Sequence, residues 1–216
     1  MRNIFLTGIF LFFAWYAPAQ QDTKAKQILD EVSTKTRSLE TISVDFIFTM
    51  ENNAMDIHEK NAGKLQLKGQ KYVVDLPELG VKVFSDGQTL WNYMEDGNQV
   101  TISNLEDGGS ELMDPSTVFT IYEKGFRSKY LGEKMEGSKA CHQIELYPDS
   151  KEYDVNKIVI SIDKAEKMIK SAQLHGTDGN LYGVEVEKMN TGMTLPDSYF
   201  VFNPKDYTDI EIIDFR

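Results

Sequence analysis

The strongest constraint on what this chain can fold into is a change of hydrophobic period at residue 42. From there Ile42, Val44, Phe46, Phe48 and Met50 alternate with Ser43, Asp45, Thr49 and Glu51, with only Ile47 out of step. Successive side chains of an extended strand point to opposite faces, so the pattern predicts a long strand with one apolar face. Similar runs recur at 63–68, 71–76, 81–85, 89–94 and 99–104, then at 139–147, 157–163, 168–175 and 182–189, with two more at 199–202 and 210–213. Asp86-Gly87, Asp96-Gly97 and Thr177-Asp178-Gly179-Asn180 punctuate them with residues that accept the positive φ of tight turns. Connections this short cannot carry parallel crossovers, so the strands form an antiparallel meander. A sheet of this many strands curls on itself. The expected fold is therefore mainly β, a single curved antiparallel sheet forming a half-open barrel.

Two segments break the rhythm. Between Asp22 and about Ser38, the residues Ile28, Leu29, Val32 and then Leu39 follow helical spacing, with Asp22 or Thr23 placed to cap the start. Between Asp107 and Tyr130, a loop at Asp107-Gly108-Gly109 precedes Asp114-Pro115-Ser116, which reads as the start of a second short helix carrying Val118, Phe119, Ile121 and Tyr122. Both helices have an apolar face to bury. The open side of the curved sheet is where those faces belong, over either a packed core or a lidded cavity.

The N-terminus reads Met1-Arg2-Asn3, an apolar run over 4–16, and then Ala17-Pro18-Ala19. That is the pattern of a secretory signal peptide spanning residues 1–19, cleaved after Ala19, which leaves one domain over 20–216. Cys141 is the single cysteine, so an internal disulfide is ruled out and an exported fold must rely on its core. The formal charge of −11 becomes one unit more negative without Arg2, a balance that disfavours nucleic acid and anionic membrane surfaces as partners.

Chemistry-bearing motifs are sparse. His58, His142 and His175 lie in separate strand-like regions, and none has a second ligand-type residue at zinc spacing. Cys141 and His142 are neighbours on a strand, so their side chains diverge and cannot act as nucleophile and base. There is no G-x-S-x-G elbow, P-loop or G-x-G-x-x-G signature. Turn chemistry accounts for the Asp-Gly pairs without calcium. The expectation is a binding protein, not an enzyme, with no metal and no cofactor.

One stretch is more specific. Gly63-Lys64-Leu65-Gln66-Leu67-Lys68, then Lys71-Tyr72, then Ser85-Asp86-Gly87-Gln88-Thr89-Leu90-Trp91-Asn92-Tyr93 and Gln99-Val100, resembles the outer-membrane lipoprotein carrier family, LolA. The order of the signal peptide, the helix with Ile28-Leu29 and Val32, the strand with Val44-Asp45-Phe46, and the later Asp178-Gly179 and Phe200-Val201-Phe202 fits the same family along the mature chain. The resemblance implies a half-barrel closed by short helices, whose apolar interior takes the acyl chains of lipoproteins and carries them across the periplasm. It also implies partners: acylated lipoproteins, an inner-membrane lipoprotein-releasing ABC transporter, and an outer-membrane acceptor or the membrane itself, with the carrier a monomer. The cavity candidates are then Phe46, Phe48, Leu65, Leu67, Val74 and Trp91, with Ile28, Val32, Val118 and Phe119 on the lid. Other readings that the residues leave open are a carrier or sensor of other lipids using the same shell, and an enzyme acting on lipids.

There is one departure from the family pattern. Where the family often has an arginine and a proline after the second strand, and the arginine latches the lid, this chain has Lys68-Gly69-Gln70. A lysine at Lys68 is a point donor and cannot reproduce a bidentate fork. The expectation is a looser or differently latched lid.

Overall fold

The computed structural model describes residues 22–106, 125–151 and 153–216. The expected signal peptide and the expected second helix with Val118 and Phe119 lie outside the described residues. One α-helix, α1 (Thr23–Arg37), precedes six strands, β1 (Ile42–Asn52), β2 (Ile57–Lys68), β3 (Lys71–Leu76), β4 (Val81–Ser85), β5 (Thr89–Met94) and β6 (Gln99–Asn104). Six more follow, β7 (Phe126–Glu136), β8 (Lys139–Pro148), β9 (Val155–Asp163), β10 (Met168–Gly176), β11 (Leu181–Thr191) and β12 (Glu211–Asp214).

All twelve belong to one open, curved sheet in the order β12-β6-β5-β4-β3-β2-β1-β11-β10-β9-β8-β7. The first six strands form one meander and β7 to β11 form another, and the two join where β1 pairs with β11. Every pairing is antiparallel except the last, where β12 runs parallel to β6 along Glu211–Asp214. The edge strands β7 and β12 do not pair with each other, so the barrel stays open. Register shifts at Asp45/Phe46, Tyr130/Gly132 and Ile169/Ser171 mark bulges, which bend strands and sharpen their twist.

Period-two alternation splits the apolar residues into two cores. The larger lies on the face that α1 packs against, here the inner face, and joins Ile28, Leu29 and Val32 of α1 to Ile42, Val44 and Phe46 of β1 and to the buried residues of β8 and β9. The smaller lies on the outer face of β3 to β6, where Val73, Phe84, Trp91, Val100 and Ile102 are covered by Phe200 and Phe202 of the C-terminal segment. The tail differs from the expected strand at 199–202. Asp197–Phe200 forms a 3-10 turn, because Pro196 and the burial of Phe200 bend the chain across the sheet rather than along it. The strand β7 was hidden at the sequence level, since its polar members outnumber Phe126 and Tyr130 on an edge with one solvated face.

Candidate functional site

The amphipathic helix is seated by a small number of side chains. Ala25, Ile28, Leu29 and Val32 are buried, at roughly 1.5–3 kcal/mol for each of the three larger ones. Asp22 is the N-cap, its carboxylate accepting from the Lys24 and Ala25 amides at 2.9 and 3.2 Å, and it also accepts from the backbone N–H of Tyr130 on β7 at 2.8 Å. The Tyr130 amide, more than any other group, holds this carboxyl below its ordinary range. Lys167, in the turn between β9 and β10, pairs with Glu31 on the solvent side of α1 at 3.0 Å. The depression along that side is lined by Lys26, Asp30, Glu31 and Lys167.

Beyond the helix the inner face is only partly covered. Phe48, Leu65, Val74, Leu76 and Val83 pack against the core while retaining solvent exposure, and so do Leu174, Val186 and Met189 from the other half of the sheet. Cross-strand pairing places them side by side: Val44 faces Leu65, Leu65 faces Val74, and Val74 faces Val83. Across the seam Phe48 faces Val184, which is 39% exposed, and the ring of Phe48 stacks on Tyr182 with centroids 6.4 Å apart. Gly63 pairs with Phe46, and a methyl group on Gly63 would stand 2.4 Å from the ring tip, so the glycine leaves the space in which Phe46 lies over β2. The result is a continuous, partly open apolar surface over β1 to β4 and β10 to β11.

Among the sequence candidates, Phe46, Phe48, Leu65, Leu67 and Val74 all stand on this inner face, with Ile28 and Val32 above it. Trp91 does not. Its strand neighbour Leu90 points inward, so Trp91 points outward, facing Phe84 and Ile102 under Phe200 and Phe202. The alternation was legible but the phase of β5 was not, since Leu90 and Trp91 are both apolar. Lys68 also takes a different role from that of a lid latch. As the neighbour of inward Leu67 it lies on the outer side, where its Nζ donates to the Leu195 carbonyl at 3.0 Å and to Asp197 at 3.1 Å. Lys71 joins the same carboxylate at 2.7 Å, so these lysines fasten the C-terminal segment and not α1. Gly69 has φ of +59° in the two-residue turn between β2 and β3, with open space around it. A β-turn of this hand, rather than the absence of a latch, accounts for the glycine.

Tyr182, Val184, Val186 and Val83 were missed as candidates, although the strands bearing them were readable. Only the pairing of β11 with β1, across a gap of more than a hundred residues in the chain, brings Tyr182, Val184 and Val186 beside Phe46 and Phe48, while Val83 reaches the same face through β3. Cys141 and His142 point to opposite sides, and burial pushes the Cys141 thiol up and holds His142 below its ordinary value. Among the described residues, no group of three or more His, Cys, Asp or Glu side chains is arranged to hold a metal ion.

The model of the outer membrane lipoprotein carrier protein LolA matches residues 37–203, most of the chain. This chain belongs to the LolA family. An outer-membrane lipoprotein carrier protein of Haemophilus influenzae is 23% identical over 186 residues, covering 84% of this chain and 85% of that protein. An uncharacterized protein of Methanocaldococcus jannaschii is 22% identical over 214 residues, and the match takes in 95% of this chain but 59% of the longer archaeal protein. Among solved structures, an uncharacterized conserved protein from Thermus thermophilus superposes with a TM-score of 0.61 at 14% identity, over 88% of this chain and 99% of that one, which is a likeness of fold. Within the LolA match lie both the Ser85–Tyr93 segment and the whole of the inner-face apolar surface.

Proposed function

We propose that this LolA-family chain is a periplasmic carrier that binds the acyl chains of lipoproteins on its inner face and moves them from the inner to the outer membrane. The observation that supports this most is the partly open apolar surface running from Val83 through Phe48 to Val184, with no charged side chain among the residues that form it. Covering an acyl chain of about fifteen methylenes there gains roughly 12 kcal/mol gross relative to water, which offsets the burial the chain gives up on leaving a membrane and needs no catalytic group. Such a gain also makes release difficult. Among the described residues α1 is seated by a few apolar side chains, the Asp22 cap, the Glu31–Lys167 ion pair and the Thr36 contact with Met168, and it is the element that opens for loading and discharge.

In this reading cargo comes from an inner-membrane lipoprotein-releasing ABC transporter and passes to an outer-membrane acceptor or the membrane itself. Residues 1–19 act as a cleaved signal peptide, and the carrier domain is 20–216. A carrier or sensor of other lipids would use the same shell. The experiment is to express the full chain in a Gram-negative host, purify the exported protein from the periplasmic fraction without detergent, and weigh the intact complex by native mass spectrometry. Acylated lipoprotein at about one per chain, on a polypeptide beginning at Gln20, is the expected result. Free lipid in its place transfers the proposal to the broader lipid carrier, and an empty protein that takes up no acyl ligand overturns both.

A further inference from the structure

Ser128 lies on β7 between Phe126 and Tyr130, all three on the inner face, while the intervening Arg127 and Lys129 are exposed on the other. Its cross-strand partner is Leu146, which is fully buried, and α1 packs over this strand. The serine is 7% exposed. Among the buried side-chain oxygen and nitrogen atoms of the described residues, its hydroxyl is the one without a hydrogen-bond partner. The nearby polar groups are engaged elsewhere: the Tyr130 hydroxyl meets His142 Nδ1 at 3.1 Å, and the Tyr130 amide donates to Asp22. A hydroxyl removed from water and left unpaired is costly, and native structures hold few of them.

We propose that Ser128 is a polar subsite for the carbonyl oxygen of an acyl ester, the group that joins a fatty chain to its head. The inference rests on the carrier reading and deepens it. A pure hydrocarbon offers Ser128 nothing. An ester carbonyl is a neutral acceptor at the end of an apolar chain, and neutrality suits a site where the Asp22 carboxylate stands one strand repeat away, on Tyr130. With the chain laid along the inner face and α1 raised, the serine hydroxyl donates a hydrogen bond to the carbonyl and is no longer unsatisfied. The apo protein thus carries a defect that the correct ligand repairs, a source of selectivity for acyl esters over other greasy molecules.

The test uses two probes, a diacylglycerol and the dialkyl ether glycerol of the same chain length, each displacing an apolar fluorophore from the full chain and from Ser128→Ala. The wild type is expected to prefer the ester about tenfold, the size of one buried hydrogen bond. In Ser128→Ala the ratio falls close to one, the ether binds as before, and the thermal midpoint of the empty protein is equal or higher because the orphan hydroxyl is gone. An ester-to-ether ratio that the substitution leaves unchanged overturns the subsite and leaves the carrier reading standing. A lowered midpoint with an unchanged ratio marks the hydroxyl as structural and overturns it too. Displacement by neither probe overturns the carrier reading, and the subsite falls with it.

Discussion

The Asp22 carboxylate joins two elements that are more than a hundred residues apart in the chain: one oxygen caps α1, and the other accepts the backbone N–H of Tyr130 on the edge strand β7 at 2.8 Å. The helix is thus pinned at its N-terminus to the rim of the sheet. Asp22→Ala removes the cap, a loss of about 0.5–2 kcal/mol, and frees the β7 amide. The expected outcome is a midpoint lower by a few degrees and faster hydrogen exchange in the first turn of α1 and at Tyr130. Asp22→Asn keeps one acceptor oxygen for the cap but sets a donor NH2 against the Tyr130 amide, so the first turn of α1 should exchange nearly as in the wild type while Tyr130 exchanges faster. Exchange unchanged in both variants would show that the apolar face alone seats the helix.

Acid should loosen the fold in two stages. Burial holds His142 and His175 below the ordinary value of 6.5, so below that pH the unfolded chain binds protons that the folded chain refuses, and stability falls as pH drops. Asp22 and Asp163 lie below their ordinary value of 3.8, Asp22 mainly through the Tyr130 amide. Burial opposes the shift at Asp163, but it is outweighed by Lys139 and the amides of Glu166 and Ala165. Their contribution is complete above that value and is lost as pH falls further. Thermal melts between about pH 2 and 8 should show both stages, with His142→Gln flattening the upper one. A midpoint that does not change between about pH 7 and 5 would exclude the histidine contribution.

Gly63 and Phe46 make the third test. A methyl group at Gly63 would stand 2.6 Å or closer to two atoms of the Phe46 ring and 2.8 Å from Leu76. Gly63→Ala must tilt that buried ring away from β2 and into the apolar hollow, an overpacking that costs about 1–3 kcal/mol. Acyl-ligand affinity should fall along with the thermal midpoint. A fall in stability with full ligand affinity would remove Phe46 from the binding surface.

Val184 and Trp91 separate the two faces. Val184 is exposed enough for Val184→Asp to fold with a stability change within about 0.5 kcal/mol, yet it places a charge beside Phe48. Acyl binding should drop by at least about tenfold, since desolvating that carboxylate costs more than one hydrogen bond returns. Trp91→Ala should do the reverse, destabilising by about 3–5 kcal/mol through the outer core while the folded fraction binds normally. Equal effects of both on binding would contradict the assignment of faces.

Periodicity by itself determined a good deal about this protein. The change to period two at Ile42, the Asp-Gly turns and the spacing of Ile28, Leu29 and Val32 specified one helix feeding a long antiparallel sheet, and the segment Ser85–Tyr93 pointed to the LolA family. What the residues did not contain was phase. Alternation says that Leu90 and Trp91 face opposite ways but not which way, because both are apolar and a one-residue slip exchanges the faces. The tertiary structure decided it: pairing of β5 with β4 and β6 set Trp91 against Phe84 and Ile102, and the C-terminal segment held by Lys68 and Lys71 closed over them. Likewise only the long-range seam of β1 and β11 brought Val184 to Phe48, and only the docking of α1 on β7 gave Asp22 its second partner. Local patterns are set by side chains a few residues apart, whereas a face, a seam and a cap onto another strand depend on where distant parts of the chain meet.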